Sequence, residues 1–234
     1  MNNNDLLNEH ESPILLSEEE KKSSVDDLIN NSETLIIVES PHTNELRKKL
    51  PLVGGSGLTV SNNLFDKQEP IGELVNKGIV NISILNTFSN ALQYHPHLRS
   101  LFAELESSYN REKALYINKK NTKEILKKHN RFNEYSTSYV NRLQNAIINN
   151  SKISKLVICG LKAQCFFEVV FFPEEELSFS SNYFTKTIFN RNIKIKYVYH
   201  PSPKNKNYNK CWVKGNNENA MLRNFILKHD DLNN

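Results

Sequence analysis

Cysteine, glycine, methionine and tryptophan are all scarce in this chain, with 3, 7, 2 and 1 copies among 234 residues. Cys159, Cys165 and Cys211 show no C-x-x-C spacing and read as structural thiols of a reducing compartment. No histidine pair has H-x-x-x-H spacing, so neither a metal nor another cofactor is expected. Nowhere do about 18 apolar residues run together, which excludes an ordinary membrane-spanning helix. The opening MNNNDLLNEHESP has neither the basic stretch nor the sustained apolar run of a secretory signal, so a soluble, cytoplasmic protein with no membrane partner is expected. Excess charge is small as well: 30 Lys and Arg against 26 Asp and Glu leave +4. That balance permits nucleic-acid binding but demands it only if the positive charge is gathered on one face.

What the chain does have is a repeated pattern of short apolar runs that end in polar groups. LIIV at 35–38 leads into Glu39-Ser40-Pro41-His42, ISIL at 82–85 into Asn86, and IKYVY at 195–199 into His200-Pro201-Ser202-Pro203. A fourth run, KLVICG at 155–160, ends in Gly160 and opens into LKAQCFFEVVFF, which has the look of a helix packed on a sheet. Strands alternating with helical stretches predict an α/β fold with a four-stranded parallel sheet between helices, a three-layer sandwich. In such sheets, ligands bind at the carboxyl ends of the strands, so Glu39, Asn86 and His200 are expected to converge on one crevice.

The length suits a single domain over 17–234, preceded by a polar, flexible segment at 1–16 whose Ile14-Leu15-Leu16 can dock on the body. Ser17 followed by Glu20 reads as a capping box that opens a helix running to about Leu28. Gly54, Gly55 and Gly57 gather three of the seven glycines beside Ser56. Backbone amides there, and at a helix expected from Leu58, could hold a phosphate or lie against a base. A basic insertion at about 104–136 interleaves Lys119, Lys120, Lys123, Lys127, Lys128 and Arg131 with Tyr116, Phe132 and Tyr135. This suits a nucleic-acid surface, although lysines at such spacing more commonly cover a solvated helix face. Tyr139, Leu143, Ala146 and Ile147 restore helical periodicity, and Met221, Leu222, Phe225 and Ile226 mark a closing helix.

In chain order these clusters resemble the uracil-DNA glycosylase superfamily. VESPHTNELRKKLPLVGGSG is similar to the first motif and following loop of its iron-sulfur branch, with Glu39 on the acidic position two residues before the proline. ILNTFSNA resembles the strand end that bears the base-reading Asn, here Asn86; LVICGLKAQ resembles the third strand and its helix; HPSP at 200–203 matches the second signature, whose His is His200. The similarity spans about 34–225. The chain departs from that branch at Val38 in place of Gly, at Leu52 where an aromatic would stack on the base, and at Lys204 where a Leu wedge would follow HPSP. Three cysteines cannot build its four-thiolate cluster.

The resemblance implies a monofunctional glycosylase that acts on DNA, single- or double-stranded, without an obligate protein partner, as a monomer. Glu39 would orient a water and oppose positive charge on the sugar, while His200 would hydrogen-bond the departing base. Asn86 would read a flipped pyrimidine, with His42 and Leu52 lining the base pocket. Gly54, Gly55, Ser56, Ser202 and Lys204 would grip the DNA backbone, with Tyr208 a replacement wedge. Uracil is the default substrate, and a modified cytosine of phage DNA, in an antiviral role, is the alternative suggested by His42 and Leu52. Two other functions remain open: a catalytically inactive nucleic-acid-binding module on the same fold, and a hydrolase of free nucleosides or nucleotides.

Overall fold

A computed structural model describes residues 16–109, 115–175, 183–202 and 211–228. Its strands are β1 (Thr34–Val38), β2 (Ser83–Asn86), β3 (Lys155–Cys159), β4 (Phe184–Ile188) and β5 (Arg191–Val198), in the spatial order β2-β1-β3-β5-β4. The pairs β1–β2, β1–β3 and β3–β5 are parallel, and β4–β5 is antiparallel. The sheet is therefore five-stranded and mixed, rather than the four-stranded parallel sheet expected. The extra strand folds back through a two-residue hairpin at Phe189 and Asn190, whose φ values of 47° and 62° are the pair of left-handed conformations that a type I′ turn requires.

Among the described residues the helices are α1 (Glu18–Lys22), α2 (Thr43–Lys48), α3 (Gly55–Phe65), α4 (Ile71–Asn76), α5 (Arg99–Ser108), α6 (Leu115–Lys128), α7 (Phe132–Asn149), α8 (Leu161–Phe171) and α9 (Asn217–Leu227). Strand alternation sorts them into two layers. Leu35 and Ile37 point into a cluster with Leu101 and Leu105 of α5, Leu143 of α7 and Phe166 of α8. Ile36 and Val38 point the other way, toward Val60 of α3, Leu74 of α4 and Leu222 of α9. Apolar cores thus cover both faces of the sheet, and the parallel pairing places the ends of β1, β2, β3 and β5 at one rim.

Two local expectations are corrected. Ser17 forms the capping box with Glu20, but the helix stops at Lys22. Beyond it Val25 N donates to Ser89 O at 2.9 Å and Leu28 pairs with Ile84, so edge pairing with β2 replaces helical bonding. Leu16 is buried with Leu46 and Ala91, whereas residues 1–15 lie outside the described residues. The basic segment is also divided. Lys119 and Lys123 of α6 turn inward onto Glu168 of α8, which is 0 % exposed, with Lys123 Nζ 2.5 Å from its Oε2. Phe132 and Tyr135 pack against the core, and Lys120, Lys127 and Lys128 stay exposed. A buried carboxylate needs cations more than the solvent-facing side of α6 needs lysines, so two of the expected surface charges are drawn in.

Candidate active site

Glu39 follows β1, and its carbonyl accepts from Phe88 N at 3.0 Å, which ties the strand end to the one after β2. His200 follows β5, whose end is pinned twice: Val198 O accepts from Gly160 N at 2.9 Å and Tyr199 O from Trp212 Nε1 at 2.6 Å. Gly160 stands between these two strand ends with φ 93°. A Cβ on Gly160 would sit 2.5 Å from Glu39 Oε1 and 3.2 Å from His200 Cβ, so only glycine lets the carboxylate and the imidazole flank the same spot. Glu39 and His200 are thus brought together, as their positions after the strands predict.

The electrostatics of this pair are unequal. Burial pushes the Glu39 carboxyl up, but Lys162, His200 and His42 together outweigh it and leave it below its usual range, so Glu39 is ionised at neutral pH. Burial pushes the His200 imidazole down, Glu39 opposes this and Lys162 adds to it, and the net shift is downward. A neutral ring is the result. Ser202 N donates to His200 Nδ1 at 3.2 Å, so the ring's proton sits on Nε2, which is then a donor.

Lys162, in the first turn of α8, was not singled out from the sequence. Its Nζ lies 3.5 Å from Glu39 Oε2 and 2.7 Å from Oε1 of Glu106 on α5, and 5.4 Å from the centroid of the Phe102 ring. The signal in the sequence was its position two residues after Gly160, which follows the KLVIC strand.

Asn86 ends β2 in register with Val38. Its backbone is clamped: the amide donates to Asp27 Oδ1 at 3.2 Å, and the carbonyl accepts from Arg142 at 2.8 Å. Arg142 also grips both Asp27 oxygens and the Thr87 carbonyl. By contrast the side chain is 0 % exposed and neither its Nδ2 nor its Oδ1 has a hydrogen-bond partner. An unpaired buried carboxamide is destabilising, and such a group at a strand end invites a functional reading.

The loop after β1 is organised by Glu45, another residue the sequence reading passed over. Its carboxylate accepts from His42 N at 2.6 Å and from Leu52 N, joining the start of α2 to the Pro51-Leu52-Val53 turn. Burial pushes its carboxyl up, to about 7, against the lowering effect of the two amides. Leu52, held at φ 53°, is 3 % exposed and packs in the layer with Val38 and Val60, so its side chain is part of the core and not an open platform. Its left-handed backbone is a strained position for a leucine. Of the glycines beside it, Gly57 is required for closeness, since a Cβ there would collide with the Leu52 carbonyl, whereas a Cβ on Gly55 would meet open space. Gly54 caps α3, Gly55 and Ser56 form its first turn, and this helix starts three residues earlier than expected. The first-turn amides of α3 have no partner inside the helix, as at any helix start, and of its first residues Gly55 is exposed and Gly57 buried.

His42 is exposed at the start of α2, close enough for its charge to reach Glu39. Ser202 adjoins His200. Lys204 and Tyr208 lie outside the described residues, so the expected backbone grip and wedge after HPSP are not placed. Among the described residues, no group of three or more His, Cys, Asp or Glu is arranged to hold a metal ion, and no helix is long and apolar enough to cross a membrane.

No protein-family model and no curated protein matches the chain. What remains is the chemistry of the site itself. The Glu39 carboxylate and the His200 imidazole flank Gly160, and the unpaired carboxamide of Asn86 is buried at the end of the adjacent strand β2.

Proposed function

We propose that this protein is a monofunctional DNA glycosylase on a uracil-DNA glycosylase-like fold. It would hydrolyse the N-glycosidic bond of a flipped-out pyrimidine, uracil or a modified cytosine, and leave an abasic site. The observation that carries the reading is the meeting of Glu39 and His200 at Gly160, where a single added Cβ would touch both side chains. Cleavage of this bond leaves positive charge on the sugar and negative charge on the base, and that separation is what such a pair stabilises.

In this mechanism the ionised Glu39 orients a water toward C1′ and opposes the oxocarbenium-like charge. His200 donates from Nε2 to the base oxygen as it becomes anionic. Because its imidazole is already neutral, it supplies a hydrogen bond without giving up a proton. The Asn86 amide, with donor and acceptor both unpaired, has the pattern to read the edge of a pyrimidine taken out of the stack. The α3 amides and the exposed lysines of α6 are the groups available to hold phosphates.

The test is direct. Oligonucleotides bearing uracil, thymine, 5-hydroxymethylcytosine or glucosylated cytosine, single- and double-stranded, are incubated with the protein and then treated with alkali. Strand breaks at one of these bases support the reading. DNA binding with no break at any of them supports the inactive binding module instead, and release of base only from free nucleosides supports the nucleoside hydrolase.

A further inference from the structure

Glu39 is set in a partly buried rim, with its side chain 17 % exposed. A carboxylate in that position loses hydration and protonates unless a cation compensates. The facing groups come from every element around it. Lys162 approaches from α8, His200 from the end of β5 and His42 from the start of α2, while the thiols of Cys159 on β3 and Cys165 on α8 are held protonated by burial. Lys162 is in direct contact with Glu39, and the net effect on His200 is a downward shift led by burial.

The geometry of Lys162 is that of a shared cation. It sits 2.7 Å from Glu106 but 3.5 Å from Glu39, and Phe102 of α5 lies against its ammonium. Glu106 is on the solvent side, 54 % exposed, and Glu39 on the crevice side. Lys162 meets Oε2 of Glu39, whereas Oε1 is the oxygen that leans over Gly160 toward His200. One oxygen is therefore anchored and the other is left to act.

We propose that Lys162 is the positioning residue that keeps Glu39 ionised and aimed at the reacting sugar, and that Glu106 on α5 sets how closely the Lys162 ammonium approaches Glu39. The proposal rests on the glycosylase reading of this site. A tight pair would neutralise the charge that opposes the oxocarbenium ion, and no pair would let Glu39 take up a proton. Competition from Glu106 holds the ammonium between these limits. The α5 helix thereby enters the chemistry without touching substrate.

Three variants test this: Lys162→Met, Lys162→Arg and Glu106→Gln, each first checked for a cooperative unfolding transition. Excision from uracil- and 5-hydroxymethylcytosine-bearing oligonucleotides is measured between pH 5 and pH 9. The ratio of the rate at pH 8 to that at pH 6 is expected to rise for Lys162→Met, to return toward wild type for Lys162→Arg, and to stay at the wild-type value for Glu106→Gln, in which Glu39 is ionised at both pH values. In parallel, the Glu39 carboxyl is titrated by 13C NMR in glutamate-labelled protein, with Glu39→Gln supplying the assignment. Its midpoint is expected to move upward in Lys162→Met and downward in Glu106→Gln. The NMR measurement needs no substrate, so failure of the wild type to excise any base would overturn the glycosylase reading alone. An unchanged Glu39 midpoint in Lys162→Met would overturn the role given to Lys162, whatever the protein acts on.

Discussion

Glu45 offers a perturbation whose size can be worked from the structure. It is 5 % exposed, and both carboxyl oxygens accept from backbone amides, those of His42 and Leu52. Burial raises its carboxyl from 4.5 to about 7. Between those two values the unfolded chain has lost the proton that the folded chain keeps. The stability Glu45 contributes is therefore full below the lower value and lost as pH rises through the upper one. Over that window the loss is roughly 3 kcal/mol. Glu45→Gln removes the titration and also turns an amide NH2 toward one of the two backbone donors, which costs about 1–3 kcal/mol. Wild type is thus expected to be the more stable protein at pH 5, and its advantage to shrink by roughly 3 kcal/mol by pH 8, where the variant equals or overtakes it. Urea unfolding at pH 5, 6, 7 and 8, followed by the fluorescence of the one tryptophan, the fully buried Trp212, measures the difference. Other titrating groups cancel in that comparison. A difference that is flat with pH, or grows toward pH 8, would refute the reasoning.

Further outcomes follow from the same structure. Glu39→Gln and His200→Ala are each expected to slow excision by about 10²–10⁴-fold while DNA affinity is retained, because both act on transition-state charge; wild-type rates in both variants would remove the mechanism. Asn86→Leu replaces an unpaired buried amide with an apolar group of similar size, so the unfolding free energy should rise by about 1–3 kcal/mol as excision is lost. A less stable Asn86→Leu protein, or one that still excises, would contradict the assignment of Asn86. Lys119→Met with Lys123→Met strands the buried Glu168 and should destabilise by about 3–5 kcal/mol, with Glu168→Gln restoring part of the loss. Replacing the exposed Lys120, Lys127 and Lys128 by Gln should instead weaken DNA binding and flatten its salt dependence; an unchanged slope would make that side of α6 an ordinary solvated face.

The residues differ in how far they were legible from sequence. The runs at 35–38, 83–85, 155–159 and 195–198 lie in strands of the sheet because β-branched apolar residues suit a sheet covered on both faces. That Glu39, Asn86 and His200 stand at or just after strand ends was legible because each directly follows an apolar run, and a strand covered on both faces places most of its polar side chains near its ends. The strand at 184–188 went unseen because FTKTI alternates weakly, and its turn puts Phe189, an unusual residue for φ 47°, where Asn or Gly would signal a hairpin. The capping box at Ser17 marked a helix start correctly, but a start signal carries no length, and edge pairing at Val25 and Leu28 ended the helix early. Lys119 and Lys123 looked like surface charge because helical spacing alone cannot reveal a buried Glu168 on another helix.

The sequence by itself determined the local chemistry: which runs form strands, which of them end in an acid, an amide or an imidazole, and where a helix begins at a glycine-rich loop. These depend on neighbours a few residues apart. Only the tertiary structure decided that Lys162 lies between Glu39 and Glu106, that Glu45 ties His42 to Leu52, and that the Asn86 amide is buried with no partner. An ion pair or a missing hydrogen bond is a property of distance and solvent exclusion. Both are set by how α5, α8 and the loop after β1 pack on the sheet, and no spacing along the chain encodes them.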